Sequence, residues 1–420
     1  MAQTVFFVIV GILIFNYLLE QFLDYLNATC WSDTLPPELA DIYDAEKYKR
    51  SQQYLRWKQR FSTMTDAFSF LVMMLMLFLG GFALADSLVR EVTTHPILMA
   101  LLFFGMLGLA ADLISIPFSA YNTFVIEERF GFNTTTVKTF ILDRFKGWVV
   151  GALIGGGLLA LIVWIYESSG QWFWLIAWVA ISAFMIFMSM FYSNLIVPLF
   201  NKQRPLEEGE LRDAIEGFAE KVGFKLKNIY VIDSSRRSTK GNAYFTGLGA
   251  KKRIVLYDTL IGKHSVEELV AVLAHEIGHY KKKHTVKNIF LSLLQTGVML
   301  YILSWFLKSP VPSAALGAQE PGFHMSVLAF ALLYSPLSMF IGLAMNGLSR
   351  KHEYQADRFA GVNYRPEALA MALKKLSVDN LSNLRPHPVY VFFNYSHPPL
   401  LKRLEALRHI NGRRDRTNGS

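Results

Sequence analysis

The chain has 420 residues and a mass of 47.8 kDa; it is 52% hydrophobic, 14% aromatic and only 18% charged, with a mean hydropathy of +0.29. Soluble globules carry roughly 25% charged residues, so this apolar excess excludes a disordered chain, which fails for lack of burial, and makes the lipid bilayer the first partner to expect. A single cysteine, Cys30, excludes an internal disulfide framework and a cysteine-only metal site, and the meaning of the +9 net charge depends on where the charges fall.

Seven stretches reach the roughly 20 apolar residues that cross a hydrocarbon core, near 5–25, 66–86, 97–119, 147–167, 172–198, 288–307 and 326–346. The first has no positive charge before it and no small-residue cleavage site after it, so it is expected to span rather than to be removed as a signal peptide. Asp112, in the middle of the third, needs an ionic partner or a water-filled cavity. Gly147, Gly151 and Gly155 allow either close approach of a neighbouring helix or a loose, glycine-rich one. Trp164, Tyr166, Trp172 and Trp174 surround one short connection, as an interfacial belt would. Residues 308–325, with Pro310, Pro312 and Pro321, are expected to form an external loop.

Charge sets the orientation. The loops after spans one and three hold ten Lys/Arg, among them Lys49, Arg56, Arg129 and Arg144, whereas the alternate loops hold Arg90 and Lys308. The positive-inside rule then puts 199–287 and 347–420 in the cytoplasm and the N-terminus outside. No nucleic-acid-binding motif accompanies the positive charge, so nucleic acid is not an expected partner.

Four segments follow: 1–198 with five spans, 199–287 as a small α+β unit, 288–346 with spans six and seven, and 347–420 as a helical tail broken by Pro386, Pro388, Pro398 and Pro399. In the second, 206–222 reads as an amphipathic helix, and 228–233 and 253–258 read as strands rich in β-branched and aromatic residues. The shorter strand 242–247 carries Asn242, Ala243, Tyr244 and Phe245; it could pair with an extended peptide or sit inside the sheet. Ser265 and Glu268 form a capping box that starts a helix.

That helix carries His275-Glu276-Ile277-Gly278-His279. Four residues turn an α-helix by 400°, so the two imidazoles stand one turn apart on one face and can share a tetrahedral zinc, with Glu276 beside it as general base. A catalytic zinc takes a third protein ligand and keeps an open position. Glu353 and Asp357, four residues apart on the predicted helix 347–361, share a face. Glu353 suits the third ligand and Asp357 could accept the outward N–H of a ligand histidine; a solvated charged face is the alternative. His352 is a rival ligand but points about 100° away from Glu353.

These pieces together resemble the type I CAAX prenyl protease family, the integral-membrane gluzincins. The likeness rests on HEIGH at 275–279, RKHEYQAD at 350–357, NAYF at 242–245, RIVLYDTL at 253–260, SHPPLLKRL at 396–404, FVIEERFGFN at 124–133 and the seven-span plan. It implies a mainly α, polytopic fold of seven transmembrane helices around a chamber, with a small α+β zinc-protease domain at the cytoplasmic end. It also implies one zinc on His275, His279 and Glu353, Glu276 as base, and Asp357 as proton donor or orienting group. By the same resemblance His397 and Arg403 lie near the substrate carbonyl, where they could stabilise an oxyanion. The expected activity is hydrolysis of extended, membrane-associated peptides, prenylated ones included, by a monomer. A broad-specificity quality-control protease or holdase, and a transporter with an incidental HExxH, are the competing readings. The tail shows no recognisable retrieval address, and the compact chain favours a bacterial plasma membrane over the endoplasmic reticulum.

Overall fold

The computed structural model describes residues 1–224, 229–246 and 253–418, the last eight by backbone alone. Residues 228 and 247, expected to bound two strands, lie outside the described residues. Among the described residues the apolar stretches form six continuous helical runs long enough to cross a membrane, and the protein is multi-pass.

Helix α1 (Ala2–Thr29) is the first span. Asp44 then caps α2 (Ala45–Phe78) by accepting the Lys47 N–H. The expected second span, 66–86, is not one helix: α2 stops at Phe78 and α3 (Gly81–Val92) starts in a new direction. The cause is Gly80, whose φ of 68° lies in the left-handed region that lacks a penalty only for glycine. The second span is therefore the apolar half of α2. Helix α4 (Pro96–Tyr121) continues through a π-helical turn to Glu127. Spans four and five belong to one 64-residue helical run, Val137–Phe200. A straight helix of that length would measure about 96 Å, three bilayer cores. It folds back at Gly170, φ 53°, which separates α5 (Val137–Val150) and α6 (Gly157–Ser169) from α7 (Phe173–Leu195) and α8 (Val197–Phe200). Seven passages thus come from six runs. Asp112 is held by Arg144 and accepts the Trp148 Nε1–H at 2.8 Å, so its ionic partner is an arginine of the helix leading into span four. Between α2 and α4 lies a cavity of about 860 Å³, apolar along Phe68, Met73, Phe104 and Phe118 and polar at Lys58 and Asn122.

The rest builds the α+β part. Strands β1 (Gln203–Pro205), β2 (Ile229–Ile232), β3 (Ala243–Thr246) and β4 (Arg253–Tyr257) form one sheet in the order β1-β2-β4-β3. Only β2 and β4 run parallel. Central β4 buries Ile254, Val255 and Leu256 completely, whereas β3 is an edge among the described residues. Helices α9 (Glu210–Lys221), α10 (Asp258–Ile261) and α11 (Val266–Lys281) follow in chain order; the capping box at Ser265 and Glu268 is present as expected. Helix α12 (His284–Phe306) is span six, α13 (Val311–Ala315) lies in the connection after it, and α14 (Phe323–Asn363) runs unbroken for 41 residues through span seven and beyond it. Helices α15 (Pro366–Asp379), α16 (Pro388–Asn394) and α17 (Leu400–Asn418) complete the chain, two of them opening on proline.

One core joins α9, the sheet, α11, α15 and α17, and the loop between spans one and two adds Leu39, Tyr43 and Tyr48 to it. The loop after span three clamps the segment leading into β3. Asn133 bridges Ser238, the Thr239 hydroxyl donates to Gly131 O, and Lys240 Nζ donates to Glu127 and Tyr54, each at 2.9 Å. The segment ahead of the edge strand is therefore tied to α2 and to the π-helical turn that follows α4.

Candidate active site

The site forms where α11 crosses α14. Gly278 lets the two backbones meet: a Cβ there would lie 3.1 Å from Ala356 Cα and 3.2 Å from Ala356 O. That approach brings His275 and His279 of α11 onto Glu353 of α14, with one ligand atom from each within 4.8 Å of the others. His279 Nε2 is 3.2 Å from Glu353 Oε1, and His275 Nε2 is 3.4 Å from Glu353 Oε2.

The donors fit a cation. The two Nε2 atoms face each other at 3.1 Å, while His275 Nδ1 is engaged by Asp357 Oδ1 at 2.9 Å and His279 Nδ1 by His284. Lone pairs thus converge beside a buried carboxylate whose Oε2 has no hydrogen-bond partner among the described residues. Burying such a set costs heavily unless protons or a metal fill it. Two histidines and one carboxylate, brought together here, are a donor set of catalytic zinc.

Around these ligands, Asp357 is almost fully buried and gripped by Arg403 of α17, through Nε to Oδ2 at 2.8 Å and Nη2 to Oδ1 at 2.6 Å. Arg403 Nη1 also lies 3.5 Å from Glu353 Oε2. Arg403 and Asp357 therefore act as a buried pair behind His275. His397, just before α17, is different: it is 63% exposed, with Nε2 3.4 Å from Glu353 Oε1, so it joins the proposed ligand set to solvent. Burial raises the Glu276 carboxyl above its usual range, a rise opposed by His275 and His279. Ala243, Tyr244 and Phe245 lie on β3 with Asn242 just ahead of it, and Phe245 packs on Tyr280, the residue after His279. His352, the rival ligand, does not join the cluster; it stacks on His284 instead, at 3.9 Å between ring centroids. Sequence reasoning missed His284 and Gln355. The only signal was a third histidine five residues after His279.

Spans that carry an HExxH helix packed on a glutamate-bearing helix define a membrane-embedded metalloprotease. Comparison with known proteins agrees. Residues 24–202 match the model described as CAAX prenyl protease N-terminal, five membrane helices, and residues 205–411 match peptidase family M48. CAAX prenyl protease 1 of Saccharomyces cerevisiae is 35% identical, covering 96% of this chain and 95% of its own. The human CAAX prenyl protease 1 homolog is 32% identical over 93% of each chain. The crystal structure of S. mikatae Ste24p superposes with a TM-score of 0.89 at 34% identity, covering 96% of this chain and 98% of that one.

The chain belongs to peptidase family M48: it is an integral-membrane zinc metalloendopeptidase of the CAAX prenyl protease type.

Proposed function

We propose that the protein cleaves extended peptides near a membrane-anchored, prenylated C-terminus, with one zinc held by His275, His279 and Glu353. The observation that carries this is the convergence of those three donors a short way beyond Asn346, at the end of the last span. When bound, zinc would polarise the scissile carbonyl and lower the pKa of water at the site to about 7. Glu276, its affinity for protons raised by burial, takes the proton of the attacking water and returns it to the leaving amine. His397, exposed beside Glu353, donates to the carbonyl oxygen as negative charge develops. Asp357 holds the Nδ1–H of His275, and Arg403 holds Asp357; this supports an orienting role for both residues, rather than proton donation by Asp357 or direct oxyanion contact by Arg403. The outer edge of β3, unpaired among the described residues, at Asn242, Ala243, Tyr244 and Phe245, pairs with the substrate backbone and sets which bond lies at the metal site.

In this reading 1–198 and 288–346 make the membrane half, and 199–287 with 347–420 make the catalytic half, facing the cytoplasm of a monomer. Compactness favours a bacterial plasma membrane; the eukaryotic origin of the relatives reported above weighs on the other side, and fractionation of the source cells separates the two. The deciding assay compares a farnesylated CAAX peptide with its unprenylated twin, with and without a zinc chelator. Faster, chelator-sensitive cleavage of the farnesylated peptide is expected. Equal cleavage of both would replace this reading with a broad-specificity protease, and no cleavage of either would remove it.

A further inference from the structure

The two imidazoles of the HExxH helix are backed in different ways. His275 has a carboxylate behind it, Asp357. His279 turns its Nδ1 to Nδ1 of His284, 3.1 Å away, and His284 Nε2 lies 2.8 Å from Gln355 Oε1. One arrangement of protons satisfies this chain. With His279 Nε2 left bare for a cation, its Nδ1 carries the hydrogen and donates it to His284 Nδ1. His284 must then carry its own hydrogen on Nε2, where the Gln355 carbonyl oxygen accepts it. Every link has one donor and one acceptor, and no ionised group is needed.

His284 is held in place from several sides. Its side chain is almost wholly buried, and its ring lies flat on His352, 11° from parallel. It meets His279 edge-on, with centroids 5.1 Å apart. The turn that delivers it is unusual: Lys283 takes φ 58°, ψ 31°, and only one other non-glycine residue among those described, Leu381, has positive φ. A lysine side chain gains nothing there, since the left-handed region crowds any Cβ. What the turn achieves is to end α11 and begin α12 with His284 folded back over His279. Within one stretch of α14, His352 supplies the stacking face, Glu353 the ligand and Gln355 the acceptor.

We propose that His284 is the positioning residue of His279, with Gln355 fixing its tautomer and His352 its plane. This rests on the zinc reading above. A ligand histidine whose outer nitrogen has a partner is fixed in ring orientation and tautomer and made more basic. Here the partner is neutral on one ligand and anionic on the other. Because His284 is also the first residue of span six, it joins the metal to a membrane helix by a single side chain.

The test uses full-length protein in detergent, stripped of metal and titrated with zinc against a competing fluorescent chelator. His284→Phe keeps a flat ring against His352 but removes the acceptor, and the apparent zinc affinity should fall on the order of 10–100-fold. His284→Asn places an amide oxygen where Nδ1 was and should recover most of that loss. Gln355→Leu releases the tautomer and should fall between the two. Zinc binding by His284→Phe as tight as wild type overturns the proposal, as does His284→Asn no better than His284→Phe, which would mean the ring serves packing alone. Should His284→Phe fail to fold, Gln355→Leu decides, and wild-type affinity in that variant overturns it. Wild-type protein that binds no zinc would remove the zinc reading itself, an outcome distinct from any of these.

Discussion

Gly278→Ala sets two effects of known size against each other. Alanine is the better helix former, by about 0.8–1.0 kcal/mol in a helix interior. Against this, its Cβ would meet Ala356 Cα and Phe359 Cβ at 3.1 Å and Ala356 O at 3.2 Å, where ordinary contacts run from 3.4 to 4 Å. Two of those three atoms are backbone and cannot rotate aside, so α11 and α14 must part by a few tenths of an ångström. Overpacking of this kind costs about 1–3 kcal/mol, so a net loss on the order of 1 kcal/mol is expected. The separation also falls between the two helices that carry the proposed ligands, and zinc affinity should drop with it. Gly217→Ala is the matched control, because an added Cβ on the exposed face of α9 meets nothing within 4 Å and only the propensity gain remains. Thermal unfolding in detergent, with and without chelator, measures both variants. If Gly278→Ala melted at or above the wild-type temperature with its zinc affinity intact, the helix crossing could not be what sets the site.

Glu276→Gln should retain zinc yet lose peptidase activity by on the order of 10²–10⁴-fold, since the amide cannot carry the proton; near wild-type hydrolysis would take Glu276 out of the mechanism. Zinc loading should depend on pH. Burial alone would lower the His275 imidazole, but Asp357 and Glu353 outweigh it and carry the group up to about 9. The metal-free site then holds a proton at neutral pH that zinc must displace, so apparent affinity rises with pH to about 9, close to tenfold per unit for one proton. Calorimetry in buffers of differing ionisation enthalpy counts that proton, and none released at pH 7 would contradict the assignment. Labels at Thr94 and Ala318 should react from outside the cell and one at Lys49 only from within; a mixed pattern would break the count of seven passages.

What the sequence made legible, and what it hid, follows from the range of the forces involved. Helical periodicity alone grouped His275 with His279 and Glu353 with Asp357, and the structure brings those two faces together. The capping box at Ser265 was equally local. The second span was misjudged because hydropathy reads through Leu79, Gly80 and Gly81, where the backbone turns at little apolar cost. His284 was hidden for a related reason: its placement depends on positive φ at a lysine, which no residue type announces. The clamp of residues 131–133 on 238–240 joins segments about a hundred positions apart and has no periodic signature.

Helix α14 makes the bilayer and the metal site share one lever. Pro336 lies inside it, where a backbone N–H is missing and bending comes most easily. From Pro336 to Glu353 is seventeen residues, an arm of about 26 Å at 1.5 Å per residue. A change of about 2° in tilt at its fulcrum swings the far end by roughly 0.9 Å, beyond the ~0.5 Å within which a catalytic constellation tolerates displacement. Helices answer hydrophobic mismatch by tilting. If tilt at Pro336 moves Glu353 against the α11 ligands, turnover in vesicles is expected to depend on lipid chain length and to peak at the hydrocarbon thickness that leaves the arm at rest; turnover independent of chain length would refute the lever.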